Sequence, residues 1–103
     1  MNERDIRLIG LGIKAGSVVV GTSRVRDGLK KGQIHLVVLA TDLSARTEEK
    51  VGRLARAKGV RIVEGPRSDE LGRRFGGRPL QALGLLDANL TREIVKANRV
   101  ESR

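Results

Sequence analysis

The sequence of 103 residues contains no cysteine, one histidine, two prolines and one aromatic residue. The absence of cysteine excludes disulfides, thiolate metal sites and thiol nucleophiles. The only histidine, His35, lies in the apolar run 34–40, where an imidazole is more typical of a strand end than of a base or a ligand. Because Phe75 is the only aromatic residue, binding modes that stack bases on several exposed rings are excluded as well.

Long hydrophobic runs are also missing. No window approaches the roughly 18–20 apolar residues of a membrane span, and the polar start over residues 1–5 does not resemble a secretory signal. We therefore expect a cytoplasmic protein with no membrane partner. Since the length is that of one compact domain and no repeat or linker is visible, residues 1–103 are expected to form a single domain.

Acidic residues are scarce relative to basic ones. The chain has 21 lysines and arginines against 12 acidic residues, which gives a net charge of +9. Segments 1–39 and 73–103 each carry seven basic and three acidic groups, whereas segment 40–72 carries seven and six. Most basic residues are arginines, whose planar fork suits phosphate oxygens. Because a large net charge is self-repulsive, it favours a polyanionic partner, namely nucleic acid, over a role in solubility alone.

The pattern of apolar and turn-forming residues predicts five helices that alternate with four strands. Ile6, Ile9 and Ile13 recur at helical spacing, and the run 34–40 has the continuous apolar character of a central strand covered on both faces. The predicted strands are residues 17–20, 34–40, 60–63 and 80–86. Short connections between alternating elements predict an α/β fold, a three-layer α/β/α sandwich around a four-stranded mixed sheet.

Local features of the helices and loops argue against catalysis. Gly28 weakens its helix by roughly 1 kcal/mol relative to alanine, so we expect packing to require it. Asp42 follows a buried strand without a carboxylate partner, and we expect it to cap the next helix together with Ser44. Glu64 and Glu70 form no recognisable acid/base pair. No catalytic residue, metal ligand, cofactor or small-molecule substrate is therefore expected.

Two turns carry the basic residues that we consider candidates for binding. The first leads from a strand into a helix, which leaves free N–H groups beside the positive end of the helix dipole. The second follows a pair of glycines that let a ligand approach the backbone. The candidate binding residues are Gly21, Thr22, Ser23, Arg24, Arg26, Lys30, Lys31, Arg78, Pro79 and Leu80. The simpler interpretation is a solvated helix face and an ordinary turn. If both turns open on one edge of the sandwich, their basic residues would instead form one cationic cleft.

Several of these motifs occur in the order known from one protein family. Residues 8–16, the glycines at 21 and 32, residues 36–42 and residues 70–76 together resemble the ribosomal protein L7Ae/L30e superfamily, most closely its small bacterial YlxQ-type members. The resemblance implies an α/β/α sandwich without enzymatic activity. It also implies a structured RNA partner, typically a kink-turn or an element of ribosomal RNA, and therefore association with the ribosome.

The sequence departs from the family pattern at the first turn. The best-known members read Gly-x-Asn-Glu-x-x-Lys there and contact sheared G·A pairs, whereas this chain has Gly21, Ser23, Arg24 and Asp27. Asp27 places a negative charge near the phosphates of a bound RNA. Arg24 offers hydrogen-bond donors where the family's glutamate would accept hydrogen bonds. The second RNA-contacting loop of the family is matched by residues 78–81. Phosphate-based binding of structured RNA is thus the leading hypothesis. A protein-interaction module with a decayed RNA motif and, with less support, an enzyme domain are the alternatives.

Overall fold

The computed structural model describes residues 1–101. Five helices are found in this part of the chain: α1 (Glu3–Lys14), α2 (Thr22–Lys30), α3 (residues 45–57), α4 (Ser68–Phe75) and α5 (Ala88–Ala97). The strands are β1 (Val18–Val20), β2 (Leu36–Leu39), β3 (Arg61–Glu64) and β4 (Ala82–Leu85). All four strands lie within two residues of the positions that the sequence predicts.

The four strands form one mixed sheet in the order β1-β4-β2-β3. Strand β4 is antiparallel to both of its neighbours, with Val19 and Val37 both opposite Gly84, and β3 is parallel to β2. The four residues of β2 are buried, as predicted for a central strand covered on both faces. A sheet of this kind needs a helical layer on each side to exclude water from its apolar surfaces.

Two separate hydrophobic clusters show that each face of the sheet has its helical layer. Helices α1, α4 and α5 contribute Ile9, Leu71 and Ile94 to the cluster on one face. Helices α2 and α3 contribute Val25 and Val51 to the cluster on the other. All five of these side chains are fully buried. The predicted three-layer α/β/α sandwich is therefore confirmed.

Helix α3 contains an irregularity that the sequence did not predict. Its central turn, Glu48–Gly52, is π-helical and lies between the α-helical segments Ala45–Thr47 and Arg53–Ala57. The carboxylate of Glu48 packs directly over Gly52, where any side chain would collide with it. Because glycine has no side chain, position 52 leaves room for the Glu48 carboxylate. This carboxylate also accepts a hydrogen bond from Arg56.

Candidate nucleic-acid interface

The carboxyl ends of β1, β2 and β3 and the amino end of β4 lie at the same edge of the sheet. This follows from the strand directions, because β4 is antiparallel to β1 and β2 while β3 is parallel to β2. The β3–α4 loop (residues 65–67) lies there on the β3 side, and three further connections meet beside it: the β1–α2 turn with the first residues of α2 (residues 21–24), the β2–α3 loop with the first residues of α3 (residues 40–46) and the α4–β4 loop (residues 76–81). We call these three connections the loop edge.

Hydrogen bonds tie the three connections of the loop edge to one another. The contacts are Gly21 N–H to the Ala82 carbonyl (2.9 Å), Ser44 N–H to Gln81 Oε1 (2.8 Å), Ala40 N–H to the Gln81 carbonyl (2.9 Å) and Thr22 Oγ1 to Thr47 Oγ1 (3.5 Å). The β1–α2 turn and the α4–β4 loop, which the sequence suggests as two halves of one site, are therefore neighbours. The β2–α3 loop joins them on the α2–α3 side of the sheet.

The β1–α2 turn presents backbone donors at the loop edge. Gly21 has a φ of 103°, a left-handed conformation that side chains rarely adopt, and it lets the chain turn directly from β1 into α2. No side chain caps α2, because the N-cap residue is this glycine. Within residues 1–101, the N–H groups of Thr22, Ser23 and Arg24 have no hydrogen-bond partner. Three donors at the positive end of the helix dipole form a favourable position for an anion.

Arginines without acidic partners surround these backbone donors. Arg24, Arg46 and Arg78 are exposed, one on each connection of the loop edge, and in the described part of the chain none of them forms an ion pair. The arginines that do pair with carboxylates are Arg4, Arg53, Arg56, Arg67, Arg73 and Arg74. Uncompensated positive charge is therefore present on every connection of the loop edge.

Part of the predicted residue set lies elsewhere. Lys30 and Lys31 are at the carboxyl end of α2, about 12 Å from its start at a rise of 1.5 Å per residue. The guanidinium of Arg26 turns towards α3, where it donates to the Lys50 carbonyl at 2.7 Å. Leu80 is only 9% exposed and belongs to the core, so it supports the α4–β4 loop from beneath and offers little contact surface. Pro79, in contrast, is exposed beside Arg78.

The α4–β4 loop lies tightly against the helix that precedes it. A Cβ atom on Gly72 would collide with the Arg78 carbonyl oxygen and lie 2.5 Å from the carbonyl carbon. The Gly77 N–H also donates to the Gly72 carbonyl at 2.5 Å, and the Leu80 N–H donates to the Ser68 carbonyl at 2.9 Å. Gly72 thus permits the close approach that fixes the position of Arg78 at the loop edge.

Asp42 has a different role from the one predicted. Ser44 alone caps α3, where its hydroxyl accepts from the Thr47 N–H at 3.1 Å. The Asp42 carboxylate instead accepts from the Ser68 N–H at 2.7 Å and from the Ser68 hydroxyl at 2.9 Å, at the start of α4. The prediction that Asp42 caps α3 was wrong, because the loop brings its side chain to a helix that starts 26 residues later.

Asp42 gives a pH-dependent prediction. Hydrogen bonds from Ser68, and secondarily the charge of Arg67, lower the pKa of Asp42 below its ordinary value of 3.8. A lowered pKa means that the carboxylate stabilises the fold above pH 3.8 and that this contribution disappears as the pH falls through the folded-state pKa. We expect Asp42→Asn to lower the Tm by a few degrees at pH 7. Thermal melts from pH 7 to pH 2 should show the two proteins converging, and a constant difference would contradict the assigned cause.

Two residues of the loop edge lie outside the predicted set. Arg46 adds a third exposed guanidinium, and the Gln81 side chain connects the α4–β4 loop to Ser44. A sequence signal for Arg46 exists, since the helix start at Ser44 follows a buried strand parallel to β1. Residues at the carboxyl ends of parallel strands share an edge, so Arg46 could have been placed near Arg24 on that ground.

The structure is a small basic α/β/α domain in which exposed arginines from three connections meet at one edge of the sheet. The chain belongs to the ribosomal protein L7Ae/L30e/S12e/Gadd45 family, whose model matches residues 7–94. This confirms the resemblance that the motifs suggest. Among curated proteins, no sequence match is found.

Solved structures share the fold at low sequence identity. A protein of unknown function from Bacillus halodurans superposes with a TM-score of 0.81 and 23% identity, covering 92% of this chain and 96% of that one. The Giardia lamblia 15.5kD RNA binding protein superposes with a TM-score of 0.71 and 23% identity, covering 94% and 89%. These likenesses establish a common architecture over almost the whole chain.

The part of the chain that the structure describes contains neither a metal-binding cluster nor a membrane-spanning helix. No three histidine, aspartate or glutamate side chains lie close enough together to hold a metal ion. No helix there has both the length and the apolar composition that crossing a bilayer requires.

Proposed function

We propose that this protein binds structured RNA at the loop edge and catalyses no reaction. The observation that carries the proposal is the meeting, at one edge of the sheet, of a helix start that no side chain caps and three exposed arginines that form no ion pair within residues 1–101. Two comparisons support it: the chain belongs to a family of ribosomal proteins, and a structural neighbour is described as an RNA-binding protein.

The chemistry of the loop edge fits phosphate groups in a folded backbone. An arginine guanidinium donates two parallel hydrogen bonds to a phosphate, and Arg24 and Arg78 approach the edge from different connections. The free N–H groups of Thr22 and Ser23 add donors at a helix start between them. Exposed Pro79 offers an apolar surface beside these donors. A site of this kind recognises the path of the backbone more than the identity of the bases.

We further propose a kink-turn-like or ribosomal element as the RNA, with readout that depends on backbone shape. Ser23 and Arg24 stand where the family's asparagine and glutamate contact G·A pairs, and Asp27 stands where it has lysine. A protein that lacks those side chains should lose little affinity when the G·A pairs are changed, provided that the bend is retained.

A panel of three RNAs tests this proposal in a filter-binding assay. The panel consists of a kink-turn stem, a stem with a bulge-induced bend but no G·A pairs, and a straight duplex of equal length. We expect similar affinities for the two bent RNAs and weaker binding to the duplex. Polyglutamate serves as a competitor, because an acidic protein partner would be mimicked by it. Equal binding to all three RNAs and efficient competition by polyglutamate would favour the protein-interaction alternative.

The affinity for RNA should depend steeply on salt. If Arg24, Arg46 and Arg78 each neutralise one phosphate, the affinity falls about 40-fold between 50 and 200 mM salt, since each contact contributes a slope of about −0.9. Binding isotherms over this range measure the slope directly. A slope near zero would show that phosphate contacts do not dominate the interaction.

The cytoplasmic location, the bacterial origin and the association with the ribosome remain predictions from the sequence. Co-sedimentation of the tagged protein with ribosomal particles in cell extracts tests the association, and sequencing of RNA crosslinked to the protein identifies the RNA.

A further inference from the structure

The edge of the sheet opposite the loop edge carries a second group of basic residues. Helices α1, α2 and α3 all end there, where β1, β2 and β3 begin. Four of the six lysines of the chain lie at these helix ends: Lys14, Lys30, Lys31 and Lys58. Lysines thus predominate at this second edge, which also carries the exposed Arg61 at the start of β3.

Three of these lysines form one continuous exposed patch, which we call the lysine edge. The Lys58 ammonium donates to the Lys30 carbonyl at 3.4 Å, so the ends of α2 and α3 are adjacent. Lys30, Lys31 and Lys58 are all exposed. The third helix end places Lys14 at the same edge of the sheet, on the β1 side.

Acidic side chains offset only part of the positive charge of the lysine edge. Asp27, one turn before Lys30 and Lys31 on α2, is the nearest acidic residue on the same helix, and in residues 1–101 it forms no ion pair. Asp87 follows β4 at this edge, but its carboxylate caps α5 by accepting from the Leu90 N–H at 2.7 Å. A helix dipole favours one cation at each carboxyl end, but it does not offset the repulsion between ammonium groups of two neighbouring helices.

We propose that the lysine edge is a second phosphate-binding surface, so that one molecule holds two separate segments of RNA. The inference rests on the proposed function, because it assigns RNA to the loop edge. Lysine ammonium groups act as point charges and bind phosphates without fixed geometry, which suits contact with any duplex backbone.

The composition of the lysine edge favours RNA over an acidic protein as its partner. Protein interfaces have an apolar or aromatic centre. The only large hydrophobic side chain exposed in residues 1–101 is Leu11, which lies on α1 and outside this patch. Lys30 is about 12 Å from the start of α2, a distance greater than the roughly 8 Å Debye length at physiological salt, so the two edges can act independently.

A capture assay with two matched double variants tests the proposal. A kink-turn RNA is immobilised, the protein is bound to it, and a labelled RNA duplex is then added. The variants Arg24→Glu/Arg78→Glu and Lys30→Glu/Lys31→Glu carry the same net charge, and circular dichroism checks that both are folded. Lys30→Gln/Lys31→Gln provides a milder version should the charge reversal perturb the end of α2.

The two proposals predict different results for the two variants. We expect the Lys30→Glu/Lys31→Glu protein to bind the immobilised RNA within about threefold of the wild type, but to capture at least about tenfold less of the labelled duplex. If either lysine variant captures as much labelled duplex as the wild type does, the proposal for the lysine edge is overturned. The proposed function of the loop edge would be unaffected by that result. Unchanged binding of the immobilised RNA by Arg24→Glu/Arg78→Glu would overturn the proposed function and, with it, the two-site arrangement.

Discussion

The double substitution Arg24→Glu/Arg78→Glu is expected to reduce the affinity for structured RNA by about 100-fold or more at 0.1 M salt. Each charge-assisted hydrogen bond contributes about 1.5–3 kcal/mol, so the loss of two amounts to at least about 3 kcal/mol. The introduced carboxylates add repulsion against the phosphates. Because both side chains are exposed and make no ion pair in the described part of the chain, the fold should be unaffected. Filter binding and thermal melts measure the two effects separately.

The matched control for this prediction is Lys30→Glu/Lys31→Glu. Both double variants change the net charge of the chain from +9 to +5, and both alter exposed residues. A site at the loop edge loses affinity only in the arginine variant, because the lysines lie at the far end of α2. Comparable losses in the two variants would show that net charge alone governs binding, and the loop edge would then have no special role.

Gly72→Ala should both destabilise the fold and weaken RNA binding. A methyl group at this position would overlap the carbonyl group of Arg78, so the α4–β4 loop would have to move away from α4. Overpacking of this kind costs about 1–3 kcal/mol of unfolding free energy. Since the loop carries Arg78, its displacement also moves one of the three arginines of the loop edge. Chemical denaturation and RNA titration report on the two consequences.

Gly76→Ala serves as the control for the Gly72 substitution, because Gly76 follows α4 directly and begins the loop that Gly72 contacts. Gly76 has a negative φ of −166° and no atom within 4 Å of the position of a Cβ, so alanine should change the unfolding free energy by less than about 0.5 kcal/mol. In an Arg78→Glu background, the effect of Gly72→Ala on RNA affinity should shrink, while its effect on stability should persist. If Gly72→Ala is as silent as Gly76→Ala, the loop does not depend on this close contact.

Much of the fold follows from the sequence because the apolar pattern is strong. The continuous apolar run around His35 specified the central strand, and β2 lies there with both faces covered. Because glycine weakens a helix, the sequence also led us to expect a packing role for Gly28 in the middle of α2. The structure supplies it, since a side chain at Gly28 would lie 2.8 Å from two carbon atoms of Ile34. Close packing of this kind between a helix and the segment that follows it overrides the poor helix propensity of glycine.

The candidate site was less predictable, because it depends on which way side chains and loops turn. The basic residues of α2 were predicted as one group, but Arg24 and Lys31 are seven positions apart, about two helical turns, and therefore lie near opposite edges of the sheet. The contact of Arg26 with α3 and the cap that Asp42 provides for α4 both join segments that are distant in sequence. Arg46 was not among the predicted residues, because its position near Arg24 depends on the strand order of the sheet.

The function proposed above requires that the β1–α2 turn and the α4–β4 loop bind the same RNA molecule. An NMR titration of the ¹⁵N-labelled protein with a kink-turn RNA tests it most directly, because each backbone amide reports separately. We expect the largest shift changes to fall together on the amides of Thr22, Ser23 and Arg24 and on those of Gly77 and Arg78, and to saturate at one equivalent of RNA. Shifts confined to Lys30 and Lys31, with the loop edge unchanged, would contradict it.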